Sequence, residues 1–369
     1  MIDTKNFYDY LVSKQMDFFV GVPDSLLKNI CACIKENSDK KHNIITANEG
    51  NAIAMASGYH VASGKYGVVY MQNSGLGNTV NPLLSLADKE VYKIPMLLII
   101  GWRGEPGVKD EPQHKMQGKV TLDLLDAMQV KYLILDDDYE NKINECIEYM
   151  EKENQPVALV VRKDAFSDYK TGKTPSEYSL TREKSLEIVL SNLTDDDFVV
   201  STTGKTSREI FEIREANNQG HANDFLTVGS MGHTASIALG MSIGSDKKVY
   251  TIDGDGSFLM HMGGFPIIAS VAEENFKYIL INNGSHESVG GQPTVAFDFD
   301  VEGVLKASGF KNVYSAKTEA EIAQAIKKLE NEKLSALVIY TKQGSRDDLG
   351  RPTTTPEENK LEMMKKISR

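Results

Sequence analysis

GDGSFLMHMGGFP, residues 254–266, places an aspartate between two glycines directly after the apolar run VYTID, and 25 residues separate Gly256 from the pair Asn282–Asn283 that closes YILINN. Both runs are short, rich in β-branched and aromatic residues, and bounded by glycine, which reads as two buried strands. A carboxylate held at a strand end between glycines is a hard oxygen ligand at a place where a phosphate and its metal can approach the backbone closely. A second parallel strand would bring Asn283 to the same sheet edge. Its neutral carboxamide oxygen, with a backbone carbonyl from the turn Gly284–Ser285, suits octahedral Mg²⁺. As a triplet, Gly-Asp-Gly also makes ordinary turns; the asparagine pair between credible strands gives it weight.

Working outward, the same kind of run recurs along the chain: IITA, YGVVYMQNSG, PMLLIIG, VKYLIL and VALVVRK in the first part, then FVVSTTG, VYTIDGDG, YILINNG and ALVIYTK. Helix-period segments alternate with them, so the expected fold class is α/β: two units, each a mainly parallel sheet flanked by helices. Ligands then belong at strand C-termini. The polar stretch 164–184 is the expected linker, between a domain over 1–163 and a second over 185–369, and residues 344–360 read as an irregular tail before a short helix. The two halves share a pattern of elements without a visible sequence repeat.

Composition narrows the function. A chain of 369 residues exceeds the usual single core. A net charge of −11 excludes a broadly basic surface for nucleic acid, and no apolar run nears the ~20 residues of a membrane span. MIDTKNFYDYLVSKQ lacks the marks of an export signal, so a cytoplasmic location is expected. Three cysteines fit neither a disulfide framework nor a zinc site and are expected in the core.

The GDG, 25 residues and NN arrangement resembles the diphosphate-binding signature of the thiamine-diphosphate-dependent decarboxylases. ITANEGNAIAMASGYHVASGK (45–65) and VGSMGHTASIALG (228–240) are similar to two further segments of that family. The resemblance implies a pyrimidine-binding and a diphosphate-binding domain without the third, middle domain of many members. It implies that Asp255 and Asn283 bind Mg²⁺ through their side chains and Ser285 through its main-chain oxygen, with Gly254 and Gly256 beside the cofactor's diphosphate. Glu49 would lie against the pyrimidine ring, and Gly229 and Met231 against the bend of thiamine diphosphate. Without the resemblance, Glu49 is a helix-start acid and Met231 a core filler.

GVPDSLLK (21–28), NNGSHESVGGQPT (282–294) and DLGRPTTTP (348–356) are similar to the two-domain members that act on 3-phosphonopyruvate, with sulfopyruvate as the near alternative. Separate chains for the two domains are common among the latter, so a fused chain favours phosphonopyruvate modestly. The resemblance places His286, Glu287 and Gln292 near the thiazolium and implies a homo-oligomer, at least a dimer, with active sites between subunits. Asp24, Ser25, Arg346 and Arg351 are candidates for the substrate's anionic end. The loop 102–119 brings Arg103, Lys109, His114 and Lys115 to a strand rim, and His114 or His286 is the candidate proton donor. Two other readings remain. TTGKTS (202–207) mimics a phosphate loop of a nucleotide-binding protein, yet Val199 stands where that motif needs its first glycine. A noncatalytic interaction subunit is the other, against which Glu49, Asp255 and Asn283 together count.

Overall fold

Each of those apolar runs forms a strand in the computed structural model, which describes residues 1–169, 172 and 176–368. The chain divides into two units, Met1–Lys173 and Thr174–Arg369. Part of the expected linker, residues 170, 171 and 173–175, lies outside the described residues.

The first unit contains β1 (Phe18–Gly21), β2 (Asn43–Ile45), β3 (Gly67–Gln72), β4 (Leu97–Gly101), β5 (Lys131–Ile134) and β6 (Val157–Val161) in one parallel sheet of order β2-β1-β3-β4-β6-β5. Helices cover both faces, so successive residues of a strand enter opposite cores: Val68 and Tyr70 join one apolar cluster, Val69 and Met71 the other. That two-sided burial is why β4 reads LLIIG and β6 VALVV rather than alternating with polar residues. Cys31, Cys33 and Cys146 are buried free thiols of this unit.

The second unit contains β7 (Phe198–Ser201), β8 (Asp224–Leu226), β9 (Val249–Gly254), β10 (Phe276–Asn282), a short antiparallel ribbon of β11 (Ser285–His286) with β12 (Gln292–Pro293), then β13 (Asn312–Ala316) and β14 (Ser335–Tyr340). Its six-stranded parallel sheet runs β13-β14-β10-β9-β7-β8. Counted within the unit, that is the order of the first sheet, so the chain uses one topology twice. In each sheet the order reverses beside the unit's first strand, and crevices at such reversals, beyond the strand C-termini, are where open parallel sheets bind ligands. The reversal lies between β1 and β3 in the first unit and between β7 and β9 in the second.

Two segments are more ordered than their polarity suggests. Helix Arg182–Ser191 begins inside the expected linker, because Thr181 caps it by accepting from the Lys184 N–H. The tail forms helix Pro356–Ile367, whose Thr355–Glu358 capping box and Pro at the first helical position start it before residue 360. Asn359 is buried there, accepting from the Leu226 N–H at 3.3 Å and donating to the Asp224 carbonyl at 2.8 Å, which fastens the tail to β8.

Candidate active site

In the second unit, the ends of β7, β9 and β10 enclose a solvent-open cleft of ≈ 520 Å³. Asp255, Asn283 and Ser285 all line it, with His286 and Glu287 beyond them, and Met231 reaches its wall from the loop after β8. Gly254 and Gly256 line it as well; Gly229 is half-buried and off the wall.

Asp255 opens the short helix Asp255–Met260 and is 3% exposed. It accepts a hydrogen bond from the Thr294 hydroxyl. Burial pushes its carboxyl up to about 6, against the opposing pull of Thr294 and nearby main-chain N–H groups. Asn283 has its amide fixed at both ends: Oδ1 accepts from the Ser285 N–H at 3.1 Å, and Nδ2 donates to Glu287 Oε2 at 2.8 Å. Ser285 Oγ and His286 Nδ1 are buried without a hydrogen-bond partner. Gly256 is required by packing: a Cβ there would meet His286 Nδ1 at 2.7 Å and Met231 Cε at 3.0 Å. At Gly254 a Cβ would make only an ordinary 3.7 Å contact with Thr202, so the protein's own packing does not demand glycine on that side.

A buried carboxylate, a carboxamide oxygen and a turn of backbone at one sheet edge form a donor set for a hard divalent cation. Among the described residues, no group of three or more His, Cys, Asp or Glu offers a competing transition-metal site. The orphaned Ser285 hydroxyl and the open side of Gly254 fit an anionic group held by that cation.

Sequence reasoning missed part of this wall. Thr202, Thr203, Lys205 and Thr206 line the cleft at the β7 end, where Gly204 (φ +95°) opens helix Lys205–Ala216. TTGKTS fails as a nucleotide loop but comes directly after a buried strand, and that position was the usable signal. Also missed was the ion pairing of Glu287 on the cleft wall: Arg182 donates to Glu209 at 2.6 and 2.7 Å and to Glu287 Oε2 at 2.7 Å, and Lys205 lies 3.2 Å from Glu287 Oε1. Against the upward push of burial, Arg182 and Lys205 hold the Glu287 carboxyl below its ordinary value. Asp253 is likewise buried, accepting from the Gly254 N–H at 3.0 Å and the Tyr278 hydroxyl at 3.2 Å.

The histidines are both sequestered. Burial lowers His286 to about 4, and Gln292, 3% exposed, pairs with it across the β11–β12 ribbon. In the first unit, His114 sits in the first turn of helix Pro112–Ala127 with Nδ1 unpartnered, and burial, then the Arg103 charge, lowers it to about 4.

The first unit gathers its own polar residues at the β1–β3 reversal. Asp24, fully buried, accepts from Gln72 Nε2 at 2.5 Å and from the Leu26 N–H at 3.1 Å, and burial raises its pKa. Arg103, beyond β4, donates to Ser25 Oγ at 2.7 Å and forks onto Asp110, one bond at 2.8 Å. Glu49 begins helix Glu49–Ser63, is 5% exposed, and receives Asn78 Nδ2 at 2.7 Å; Gly75 leaves room for its carboxylate, which a Cβ would strike.

Arg346 and Arg351 are not brought to the cleft. Arg346 donates to Glu183 at 2.8 Å, to Asp348 at 3.0 Å and to Glu212, in a separate groove between helices Arg182–Ser191 and Lys205–Ala216. Arg351 is exposed and off the cleft wall. No helix among the described residues is long and apolar enough to cross a membrane.

Residues 4–129 match the model of the thiamine pyrophosphate enzyme N-terminal TPP binding domain, and residues 202–340 that of the C-terminal TPP binding domain. The chain belongs to the thiamine pyrophosphate enzymes and is a thiamine-diphosphate-dependent decarboxylase. Among its relatives are the phosphonopyruvate decarboxylases of Streptomyces viridochromogenes, 31% identical over 92% of this chain and 88% of that protein, and of Streptomyces hygroscopicus, 32% identical over 92% and 87%. A sulfopyruvate decarboxylase of Methanosarcina acetivorans is 27% identical over 94% of this chain and 92% of that protein. That last match removes one argument made from sequence: a sulfopyruvate decarboxylase also spans both domains in one chain, so fusion does not separate the two substrates.

Proposed function

We propose that the chain decarboxylates 3-phosphonopyruvate to phosphonoacetaldehyde and CO₂, with thiamine diphosphate and Mg²⁺, as a step of phosphonate biosynthesis. The observation that carries this reading is identity above 30% with two phosphonopyruvate decarboxylases through both units, against 27% for the single-chain sulfopyruvate relative. Asp255, Asn283 and the Ser285 carbonyl would hold Mg²⁺, and the Thr202–Thr206 wall would add hydroxyls and the Lys205 cation toward the diphosphate. Glu49 would face the cofactor's pyrimidine and Met231 would support the bound cofactor. When bound, the cofactor supplies an electron sink for the bonding pair left as CO₂ departs.

The chain's own residues bind, orient and protonate. Ser25 and Arg103, linked at 2.7 Å, receive the phosphonate, while buried Asp24 keeps Ser25 in place. Arg346 already faces three carboxylates and does not share this task. Loss of the carboxylate leaves a carbon that takes up one proton, and His114 and His286 are the groups in question. With both lowered to about 4, each rests as a neutral imidazole at pH 7, so it serves as a relay that takes a proton from solvent, passes it to the carbon as a short-lived imidazolium and returns to the neutral ring. The working form is a cytoplasmic homo-oligomer, at least a dimer, with sites shared between subunits.

Titration of thiamine diphosphate with and without Mg²⁺, together with CO₂ release from phosphonopyruvate and sulfopyruvate, tests this. Tight Mg²⁺-dependent binding and faster turnover of phosphonopyruvate are expected; preference for sulfopyruvate overturns the substrate assignment.

A further inference from the structure

Both oxygens of Glu287 are engaged by donors, and this decides what Glu287 can be. Oε2 accepts from Asn283 Nδ2 at 2.8 Å and Arg182 Nη1 at 2.7 Å, and Oε1 faces Lys205 Nζ at 3.2 Å. Arg182 is itself gripped by both oxygens of Glu209, so two cations balance two carboxylates in a group whose Arg182 and Glu209 side chains are 5% and 1% exposed. A carboxylate so occupied is neither a spare metal ligand nor an unpaired charge awaiting one.

It does, however, settle an ambiguity in its neighbour. A carboxamide has a donor end and an acceptor end of nearly equal shape, and only the acceptor end can ligate a cation. An ionised carboxylate accepts hydrogen bonds and cannot give one, so only the NH₂ end of Asn283 can face Glu287. The oxygen is then turned the other way, to the Ser285 turn, as its 3.1 Å bond there shows.

We propose that Glu287 is a positioning residue for the metal site, which, anchored by Arg182 and Lys205, locks the Asn283 carboxamide with its oxygen presented for a divalent cation. This rests on the reading of Asp255, Asn283 and Ser285 as that site. Partners of this kind behind a ligand typically change metal affinity by about 10- to 100-fold when removed.

The test is calorimetric titration of Mg²⁺ into the full chain at saturating thiamine diphosphate, for the parent, Glu287→Gln, Asn283→Ala and the double variant. Glutamine can present either end to Asn283, so Glu287→Gln is expected to weaken Mg²⁺ about 10- to 100-fold. The double variant is expected to be no weaker than Asn283→Ala alone, since Glu287 acts through Asn283. Metal-free unfolding midpoints confirm that each variant folds. Should Glu287→Gln not fold, Arg182→Lys keeps the charge, loses the fork onto Glu209 that holds the guanidinium against Glu287, and is expected to lower Mg²⁺ affinity less. Folded variants that titrate like the parent, or a double variant whose losses simply add, overturn the proposal. A parent that binds thiamine diphosphate without any Mg²⁺ dependence overturns instead the metal-site reading beneath it.

Discussion

The carboxyl ends of the two sheets rest on one strand order and treat their polar groups in opposite ways. Beyond β1, β3 and β4 the first unit pairs most of its polar side chains with one another, Asp24 with Gln72, Ser25 with Arg103, Arg103 with Asp110, Asn73 with Thr121 at 2.8 Å, and leaves Gln113 Oε1 and His114 Nδ1 unpartnered at the start of the next helix. Beyond β7, β9 and β10 the second unit pairs Arg182 and Lys205 with Glu287 on the cleft wall and leaves Ser285 Oγ and His286 Nδ1 there without partners. A buried polar atom without a partner costs about 1–3 kcal/mol, a cost a fold retains where something else fills the role. The same topology therefore carries one edge whose strand-end groups are mostly paired with one another and another whose cleft wall holds unpartnered groups beside its candidate metal ligands.

The largest test of that contrast is at Asp255. Asp255→Ala removes the carboxylate proposed as a metal ligand, and loss of a direct ligand is expected to exceed the roughly 100-fold upper range of second-layer effects on metal affinity. Calorimetry with Mg²⁺ and thiamine diphosphate should show no saturable binding; parent-like binding would erase the distinction between the edges. Next comes Glu49→Ala in the first unit, expected to leave the metal-free unfolding midpoint nearly unchanged while CO₂ release falls about 10²- to 10⁴-fold, the usual range for a proton-handling group. Unchanged turnover would refute its role. A smaller effect is expected at Arg103→Ala, where losing a charged hydrogen-bond partner worth about 1.5–3 kcal/mol should raise KM for phosphonopyruvate about 10- to 100-fold. Turnover of pyruvate, which has no phosphonate, should hardly move; equal losses on both substrates would make Arg103 structural.

Whether a residue of the site was legible in the sequence depends on where it sits. Asp255 and Asn283 could be read because a buried strand announces itself by continuous apolar residues, and the positions just past its carboxyl end lie at the ligand edge. The Thr202–Thr206 wall obeys the same rule after FVVS, but its likeness to a phosphate loop turned the reading toward glycine spacing. Glu287 was read near the thiazolium by resemblance, but its pairing with Arg182, and Arg182's with Glu209, leave no local trace: the pairs span 105 and 27 residues, and Arg182 and Glu209 each alone read as a surface charge. Arg346 shows the converse, an arginine attractive as an anion ligand until Glu183 and Glu212, far away in sequence, are found on it. In the tail, composition reads as irregular chain, while Thr355, Pro356 and Glu358 spell a helix start.

The smallest effect concerns stability, and it separates the units by pH. The fold holds His114 neutral down to about 4, whereas an unfolded histidine takes up its proton near 6.5. Between those values the unfolded chain binds more protons, so this contribution is present above pH 6.5 and is lost as pH falls toward 4. Allowing for screening by solvent, the loss is about 2 kcal/mol. Trp102, the sole tryptophan, is 7% exposed and donates its ring N–H at 2.8 Å to the Gly118 carbonyl of the helix that carries His114. Its fluorescence therefore reports unfolding of the first unit. Urea midpoints monitored by that signal should decline from pH 7 to pH 4.5 in the parent, and His114→Gln, which has nothing to protonate, should flatten the decline. Parallel slopes in the two proteins would place the acid sensitivity of this unit elsewhere, and the unpartnered Nδ1 of His114 would then need another explanation.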